Sequence, residues 1–261
     1  MPFADCNGFR MYYEESGEGT PIVFLHGFTL DRRMWAPQVA FFSDRFRVVT
    51  PDARGHGRSD APPGGYSRAH RVEDLLAFAD TLELERFHLV GLSMGGSTAV
   101  GFALGHQDRL LSLALVSTGI AGYKAGGKME RLDKIGRRNG PDQALRQWKK
   151  WSLSWYREPE RAHLKAPLEE MMNEYSGAVW RDPMRGKYPR EYDLEHVHEI
   201  TVPTTIIAGA LDKVFVPLAQ ELHDRIPTSS LTMYENVGHM LNLEAPARFN
   251  ADLKLFLEAR S

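Results

Sequence analysis

The sequence predicts an α/β fold, in which a mostly parallel, doubly wound sheet carries a helical lid as an insertion. Compact apolar runs alternate with helical patterns through the first half of the chain: PIVFLHGF, FRVVTPD, FHLVGLS and LLSLALVSTG. Apolar side chains at consecutive positions, closed by a turn signal, are typical of strands buried on both faces of a parallel sheet. Strands that alternate with helices predict the doubly wound arrangement.

The remaining elements follow in chain order. GFRMYYEES alternates well enough to form an edge strand, antiparallel to the others. After Ser67, a candidate N-cap, apolar residues recur at helical spacing and predict a crossover helix: Val72, Leu75, Leu76, Ala79 and Leu82. Strand character returns in TVPTTIIAGALD; a helix then follows from Pro217 to Ile226, SSLTMYENVGH forms the last strand, and a helix from Pro246 to Ala259 closes the chain.

A helical segment interrupts this pattern. From about Gly119 to Glu199 the strand-like runs disappear, and Trp, Met, Arg and Lys recur with helical periodicity. Because the strands resume afterwards, the segment is expected to be a lid on one sheet, not a separately folding domain. We therefore divide the chain into a first core part at 1–122, a helical lid at 123–199 and a second core part at 200–261.

Composition narrows the classes of partner. The chain has 261 residues, 43% of them hydrophobic and 25% charged, with a net charge of -2. These values are typical of a soluble globular protein and give no reason to expect nucleic acid or a membrane as partner. A single cysteine excludes an internal disulfide, and MPFADCNGFR lacks the pattern of a signal peptide. We expect a cytoplasmic protein, and the oligomeric state stays open.

A candidate nucleophile lies where the strand FHLV meets a helix. The segment GLSMG at 91–95 presents Ser93 on a strand-to-helix turn, with glycine two positions before and after it. Such a strained turn needs small neighbours, which Gly91 and Gly95 supply. The alternative is a glycine-rich turn without a catalytic role. The helix N-terminus favours the negative charge that forms on a substrate oxygen, so the N–H of Met94 is one candidate oxyanion donor.

Serine needs a base to accept its proton, and His239 is the candidate. It follows the last strand and precedes the closing helix, so it projects from the carboxyl edge of the sheet, where open α/β sheets bind ligands. The alternatives are a surface histidine without a task, or catalysis by His26. Because His26 lies within LHGF, bracing that loop is its more natural role.

An acid must orient the histidine, and Asp212 follows the strand TTIIAGAL at the same edge. The order Ser93, Asp212, His239 is the one that α/β-hydrolases use. Asp52 is the rival, but it precedes the serine and lies in a turn that is more easily explained as structure. The second oxyanion donor is expected after PIVFLHG, where the N–H of Phe28 is the candidate.

The lid offers candidate pocket residues. Trp148, Trp151 and Trp155 have the i, i+3, i+7 spacing of one helix face. Packing of the lid onto the body is the commoner role of such a stripe. The alternative is that Trp151 and Trp155 wall an apolar acyl pocket, which makes them the candidate substrate-binding residues. The nearby lid cations, for which solvation is the commoner role, are candidates for binding a substrate carboxylate: Arg137, Arg138, Lys149 and Lys150.

These motifs together resemble the α/β-hydrolase superfamily over nearly the whole chain outside the insertion. They are LHGF at 25–28, DARGHGRS at 52–59, GLSMGG at 91–96, GALD at 209–212 and GH at 238–239. Within it the sequence is most similar to small esterases and 3-oxoadipate enol-lactonases, through the GLSMGG turn and PPGGYS at 62–67. Haloalkane dehalogenases and epoxide hydrolases have an aspartate at the position of Ser93, which argues against both.

The resemblance implies a serine hydrolase that cleaves a small-molecule ester or lactone through an acyl-enzyme. That chemistry requires no cofactor and no metal. Two alternatives stay open: cleavage of a C–C bond or another non-ester reaction by the same residues, and a small-molecule receptor with low turnover.

Overall fold

Eight strands form one sheet in the computed structural model, which describes residues 2–123 and 126–260. The strands are β1 (Phe3–Cys6), β2 (Phe9–Ser16), β3 (Pro21–Leu25), β4 (Arg47–Pro51), β5 (Phe87–Leu92), β6 (Leu110–Val116), β7 (Thr204–Gly209) and β8 (Ser229–Tyr234). Their order in the sheet is β1-β2-β4-β3-β5-β6-β7-β8. All neighbours from β4 to β8 pair in parallel, whereas β1 with β2 and β2 with β4 pair antiparallel. The mostly parallel sheet confirms the expected fold class.

One detail of the sheet differs from the sequence-based expectation. GFRMYYEES was expected to form the edge strand, but β2 is paired on both sides and β1 is the edge. Asn7 and Gly8 connect them with φ values of 46° and 82°. Asn-Gly with two positive φ angles favours a tight hairpin, so the short segment FADC folds back along β2.

Ten α-helices surround the sheet in the described parts of the chain. They are α1 (Ala36–Phe42), α2 (Arg68–Thr81), α3 (Met94–His106), α4 (Lys128–Asn139), α5 (Pro141–Ser152), α6 (Lys165–Glu174), α7 (Asp193–His196), α8 (Val216–Arg225), α9 (Leu241–Glu244) and α10 (Pro246–Glu258). The predicted N-cap of α2 is confirmed, because the Ser67 hydroxyl accepts the His70 N–H at 3.3 Å. No helix of the described residues is long and apolar enough to cross a membrane.

The sheet separates two apolar cores. In β3, Val23 and Leu25 face one core with α2, α3 and α8, whereas Ile22 and Phe24 face the other with α1 and α10. Both faces of the sheet are therefore buried, which explains the consecutive apolar residues in each parallel strand. Helices α4 to α7 lie between β6 and β7 in sequence, and they include most of the segment proposed as a lid.

The tryptophan stripe does not continue along one helix. Helix α5 ends at Ser152, and Trp155 lies in the following 3-10 helix, Leu153–Arg157. A 3-10 turn has about three residues instead of 3.6, so it rotates the later side chain away from the α-helical face. Trp151 packs against an apolar cluster that includes Tyr66 and Trp180, whereas Trp155 packs against the core around α10.

Candidate active site

Ser93 forms the turn between β5 and α3. Its φ of 55° and ψ of -107° are strained for a residue with a side chain. Backbone hydrogen bonds hold this geometry: the Ser93 N–H donates to the Val116 carbonyl at 3.0 Å, and the Ser93 carbonyl accepts the Gly119 N–H at 3.1 Å. Strain that the surroundings maintain in this way is typical of a functional turn.

The flanking glycines allow this turn to approach its neighbours. A Cβ added at Gly91 would lie 2.5 Å from the Gly95 carbonyl oxygen. One added at Gly95 would collide with the carbonyl oxygen of Leu25, at the end of β3. Any larger residue would therefore push α3 away from β3 and displace Ser93.

His239 and Asp212 meet at the carboxyl edge of the sheet. Asp212 follows β7 and His239 follows β8, and the two strands are neighbours. The His239 Nδ1 lies 2.5 Å from Asp212 Oδ2. A carboxylate accepts a hydrogen bond, so Nδ1 carries the proton and Nε2 is left to act as a base. The Phe215 ring stacks on the imidazole, with centroids 5.0 Å apart and planes at 28°.

Gly119 and Phe215 lie between the Ser93 turn and His239. A Cβ added at Gly119 would lie 3.5 Å from the Ser93 carbonyl oxygen and 3.8 Å from Cε1 of Phe215. Gly119 thus separates the serine turn from the ring that stacks on His239. The Ser93 turn thus lies near Phe215, whose ring stacks on His239, and His239 in turn contacts Asp212.

The loop after β3 packs against the serine turn. A Cβ added at Gly27 would lie 3.3 Å from Leu92 Cδ2 and 3.8 Å from Ser93 Cβ. Phe28 is the next residue in this loop. Met94 is the first residue of α3, and the first-turn N–H groups of a helix have no intrahelical acceptor. Of the two proposed oxyanion donors, Met94 directly follows Ser93 in the chain, and Phe28 directly follows the glycine that approaches Ser93.

The residues considered as rivals have structural contacts. His26 Nε2 accepts the Ala53 N–H at 2.9 Å, and its Nδ1 lies 2.9 Å from the Gly27 carbonyl. Both ring nitrogens therefore brace the loop after β3. The Asp52 carboxylate is buried and accepts the backbone N–H groups of Arg32 and Arg58 at 2.8 and 2.9 Å. Burial raises the pKa of Asp52.

The two candidate pocket residues lie in different surroundings. A Cβ added at Gly238 would lie 2.5 Å from Trp155 Nε1, so this indole packs on the loop that carries His239. The Arg131 guanidinium lies over the Trp151 ring, 5.6 Å from the ring centroid, within the segment proposed as a lid. Trp155 is therefore the one of the pair that contacts the loop carrying His239.

The sequence family described as "Alpha/beta hydrolase family" matches residues 22–252. The chain belongs to the alpha/beta hydrolase family.

Individual members of this family resemble the chain closely enough to align over most of its length. A Bacillus subtilis protein provisionally assigned as 2-succinyl-6-hydroxy-2,4-cyclohexadiene-1-carboxylate synthase is 31% identical and covers 90% of this chain and 89% of its own. The 3-oxoadipate enol-lactonase 1 of Acinetobacter baylyi is 26% identical over 87% of this chain and 85% of its own. The crystal structure of the enol-lactonase from Burkholderia xenovorans superposes with a TM-score of 0.86 at 27% identity, covering 98% and 100% of the two chains. The predicted similarity to enol-lactonases is confirmed.

Sequence reasoning on this alpha/beta hydrolase missed a contact between the lid and the Phe28 loop. Trp148 Nε1 donates to the Thr29 hydroxyl at 2.7 Å, and that hydroxyl donates to the Phe28 carbonyl at 2.7 Å. Thr29 has a φ of 62°, a strained value for a β-branched residue. Nothing in the local sequence marks Thr29 as strained, because the strain arises from partners distant in the chain.

Proposed function

We propose that this hydrolase cleaves a carboxylic ester or lactone through an acyl-enzyme on Ser93. The observation that carries the proposal is the 2.5 Å contact between His239 and Asp212 at the sheet edge where Ser93 forms its turn. A histidine held in this tautomer at the same sheet edge as a half-buried serine supports acyl transfer, which requires a base to take the serine proton. The relatives described as enol-lactonases support the same reaction class.

The first half-reaction forms the ester on the enzyme. Ser93 Oγ attacks the substrate carbonyl carbon while His239 Nε2 takes the hydroxyl proton. The negative charge on the carbonyl oxygen is stabilised by the N–H groups of Phe28 and Met94. When the tetrahedral intermediate collapses, the bond to the leaving oxygen breaks and His239 returns its proton to that oxygen. An ester releases an alcohol, whereas a lactone keeps its new hydroxyl on the acyl chain.

The second half-reaction regenerates the serine. A water molecule attacks the acyl carbon, and His239 accepts one of its protons. Collapse of the second intermediate returns that proton to Ser93 Oγ and releases a carboxylic acid. Asp212 stabilises the imidazolium in both halves without taking the proton. We propose that the lid, with Trp155 and Trp151, forms the walls around the substrate.

A non-ester reaction by the same residues is the second candidate. The observation that favours it is the 31% identical Bacillus subtilis relative, whose assigned activity is that of a synthase. One such reaction is C–C bond cleavage in a vinylogous diketone, in which the same serine and histidine would act.

The experiment is a substrate panel on wild type and the Ser93→Ala variant. It contains p-nitrophenyl acetate and butyrate, an enol-lactone, a saturated γ-lactone and a vinylogous diketone. We expect Ser93-dependent hydrolysis of the esters or the lactones. Ser93-dependent cleavage of the diketone alone would favour the second candidate. If a phosphonate labels Ser93 but no substrate of the panel is turned over, the result would favour a small-molecule receptor with low turnover.

A further inference from the structure

We propose that Glu244 is a positioning residue for His239, and that Arg161 of the lid segment holds Glu244 in place. This inference rests on the proposed function, because positioning has a catalytic effect only if His239 is the base. It assigns the lid a part in assembling the catalytic site beyond covering the substrate.

The Glu244 carboxylate accepts hydrogen bonds on both sides of His239. Its Oε2 accepts the Gly238 N–H at 2.8 Å, and its Oε1 accepts the Met240 N–H at 3.2 Å. One side chain therefore fixes the backbone immediately before and after the catalytic histidine. The Glu244 side chain is 3% exposed, so water does not readily replace it as the acceptor.

Arg161 links this carboxylate to the lid. Its Nε lies 3.2 Å from Glu244 Oε2, and its Nη2 donates to the Asn236 carbonyl at 3.1 Å, in the same loop. The guanidinium also lies over the Trp155 ring, 4.6 Å from its centroid. Because Trp155 packs on Gly238, the lid contacts this loop through the ion pair and through the indole.

The Glu244 contacts restrict how far the His239 ring can shift, which the bond to Asp212 alone does not fix. Asp212 fixes the tautomer and one end of the imidazole, but the backbone of the loop sets how far Nε2 reaches toward Ser93. A displacement of about 1 Å at a reacting group can cost about 100-fold in rate. Fixing both N–H groups that flank His239 restricts that displacement.

The neighbourhood of Arg161 makes the inference testable. A cavity of about 330 Å³ borders the ion pair and is lined in part by Arg161, Asn236 and Glu244. A shorter neutral side chain at 161 therefore has space and access to water, so Arg161→Gln should fold. Glu244→Gln is the direct test, because it replaces the charged carboxylate by a neutral amide. The amide oxygen can still accept one of the two backbone N–H groups, but the amide NH2 is a donor and cannot accept the other.

The test compares these two variants with a matched lid control. Arg185 pairs with Asp133 at 3.0 Å in the lid segment, so Arg185→Gln removes a similar ion pair away from His239. Two quantities are measured: kcat and KM for the best ester or lactone substrate, and the hydrogen-exchange rates of the Gly238 and Met240 amides. Amide exchange requires no substrate and reports the hydrogen bonds directly.

We expect Glu244→Gln to lower kcat by about 10- to 100-fold, with KM within about threefold of wild type. Arg161→Gln should lower kcat by about 3- to 10-fold, because Glu244 loses its anchor and its hydrogen bonds to both N–H groups weaken. Both variants should accelerate exchange of the two amides, whereas Arg185→Gln should leave kcat and exchange within about twofold of wild type. In the His239→Ala background, Glu244→Gln should have no further effect on residual turnover, since residues that act as a unit are not additive.

The outcomes distinguish failure of the positioning role of Glu244 from failure of the proposed function. If turnover depends on Ser93 but both variants keep kcat within about twofold of wild type, the inference alone is overturned. Unchanged exchange of the two amides overturns it whatever the activity. If wild type shows no Ser93-dependent turnover or labelling, the proposed function fails and the catalytic part of the inference fails with it.

Discussion

His239 Nδ1 donates to Asp212 Oδ2 at 2.5 Å, between two loops whose residues are 27 positions apart in the chain. The parallel pairing of β7 with β8 makes this contact possible, because it brings the carboxyl ends of both strands to the same edge. The Asp212 side chain is 8% exposed and that of His239 is 32% exposed. The Asp212 side chain is thus almost fully buried, whereas that of His239 is partly accessible to solvent.

Asp212→Asn should lower kcat by roughly 10⁴-fold, because an amide can stabilise the wrong tautomer and cannot stabilise the imidazolium. The effect is measured as steady-state hydrolysis of a p-nitrophenyl ester, with circular dichroism to show that the variant is folded. A folded variant within about tenfold of wild type would mean that Asp212 is not the orienting acid.

Asp52→Asn should affect stability and leave the chemistry intact. The buried Asp52 carboxylate contacts Arg32 Nη1 at 3.0 Å in addition to the two backbone N–H groups, and Arg32 is itself mostly buried. Loss of one charge from a buried pair should cost about 2 to 4 kcal/mol of the free energy of unfolding, measured in urea. The folded variant should react with a serine-directed phosphonate at the wild-type rate. Loss of that reaction in a folded variant would return Asp52 to consideration as the acid.

Trp148→Phe tests the contact between lid and Phe28 loop. The substitution keeps an aromatic ring and removes the 2.7 Å hydrogen bond to the Thr29 hydroxyl. We expect kcat to fall about 3- to 10-fold, because the Phe28 N–H loses part of its orientation. Trp180→Phe is the comparison variant, since the buried Trp180 Nε1 has no hydrogen-bond partner among the residues that the structure describes. An equal loss in both variants would indicate a packing effect instead.

Acid should destabilise the folded chain through His88. Burial, together with the Arg260 charge, lowers the pKa of His88 from 6.5 to about 4. The unfolded chain then binds the proton more tightly than the folded chain between these values. The contribution of His88 to the free energy of unfolding should therefore fall as the pH drops from 6.5 toward 4, by on the order of 3 kcal/mol in full, and should not vary above that window.

His88→Asn should weaken this dependence. Urea unfolding at pH 7.5 and pH 5 measures the difference, and the buried His56, whose pKa burial also lowers, should account for part of what remains. The same slope in wild type and His88→Asn would contradict the assignment to His88.

Local patterns were sufficient to propose the residues of the candidate site. The glycines around Ser93 mark a strand-to-helix turn, and Asp212 and His239 each directly follow a recognisable strand. Parallel pairing brings such positions to one edge, so their proximity follows from the fold class. The parallel pairing of β7 with β8 accounts for the contact between Asp212 and His239, whereas the catalytic role of Ser93 stays a prediction.

Contacts between distant segments could not be predicted in this way. Trp155 departs from the stripe because the chain tightens into a 3-10 helix after Ser152, which helical periodicity does not reveal. Glu244 meets Arg161 across 83 positions, and neither residue lies in a motif that predicts the pair. The edge strand β1 was missed although Asn7-Gly8 is a hairpin signal, because four residues are too few to show an alternating pattern.

The most direct test of the account is the reaction of Ser93 itself. Intact mass is measured after treatment of wild type and Ser93→Ala with a serine-directed phosphonate, alongside release of p-nitrophenol from the acetate and butyrate esters. We expect one adduct on wild type and none on Ser93→Ala, with kcat lowered by on the order of 10⁶-fold in the variant. An adduct on Ser93→Ala, or turnover that survives the substitution, would contradict Ser93 as the nucleophile.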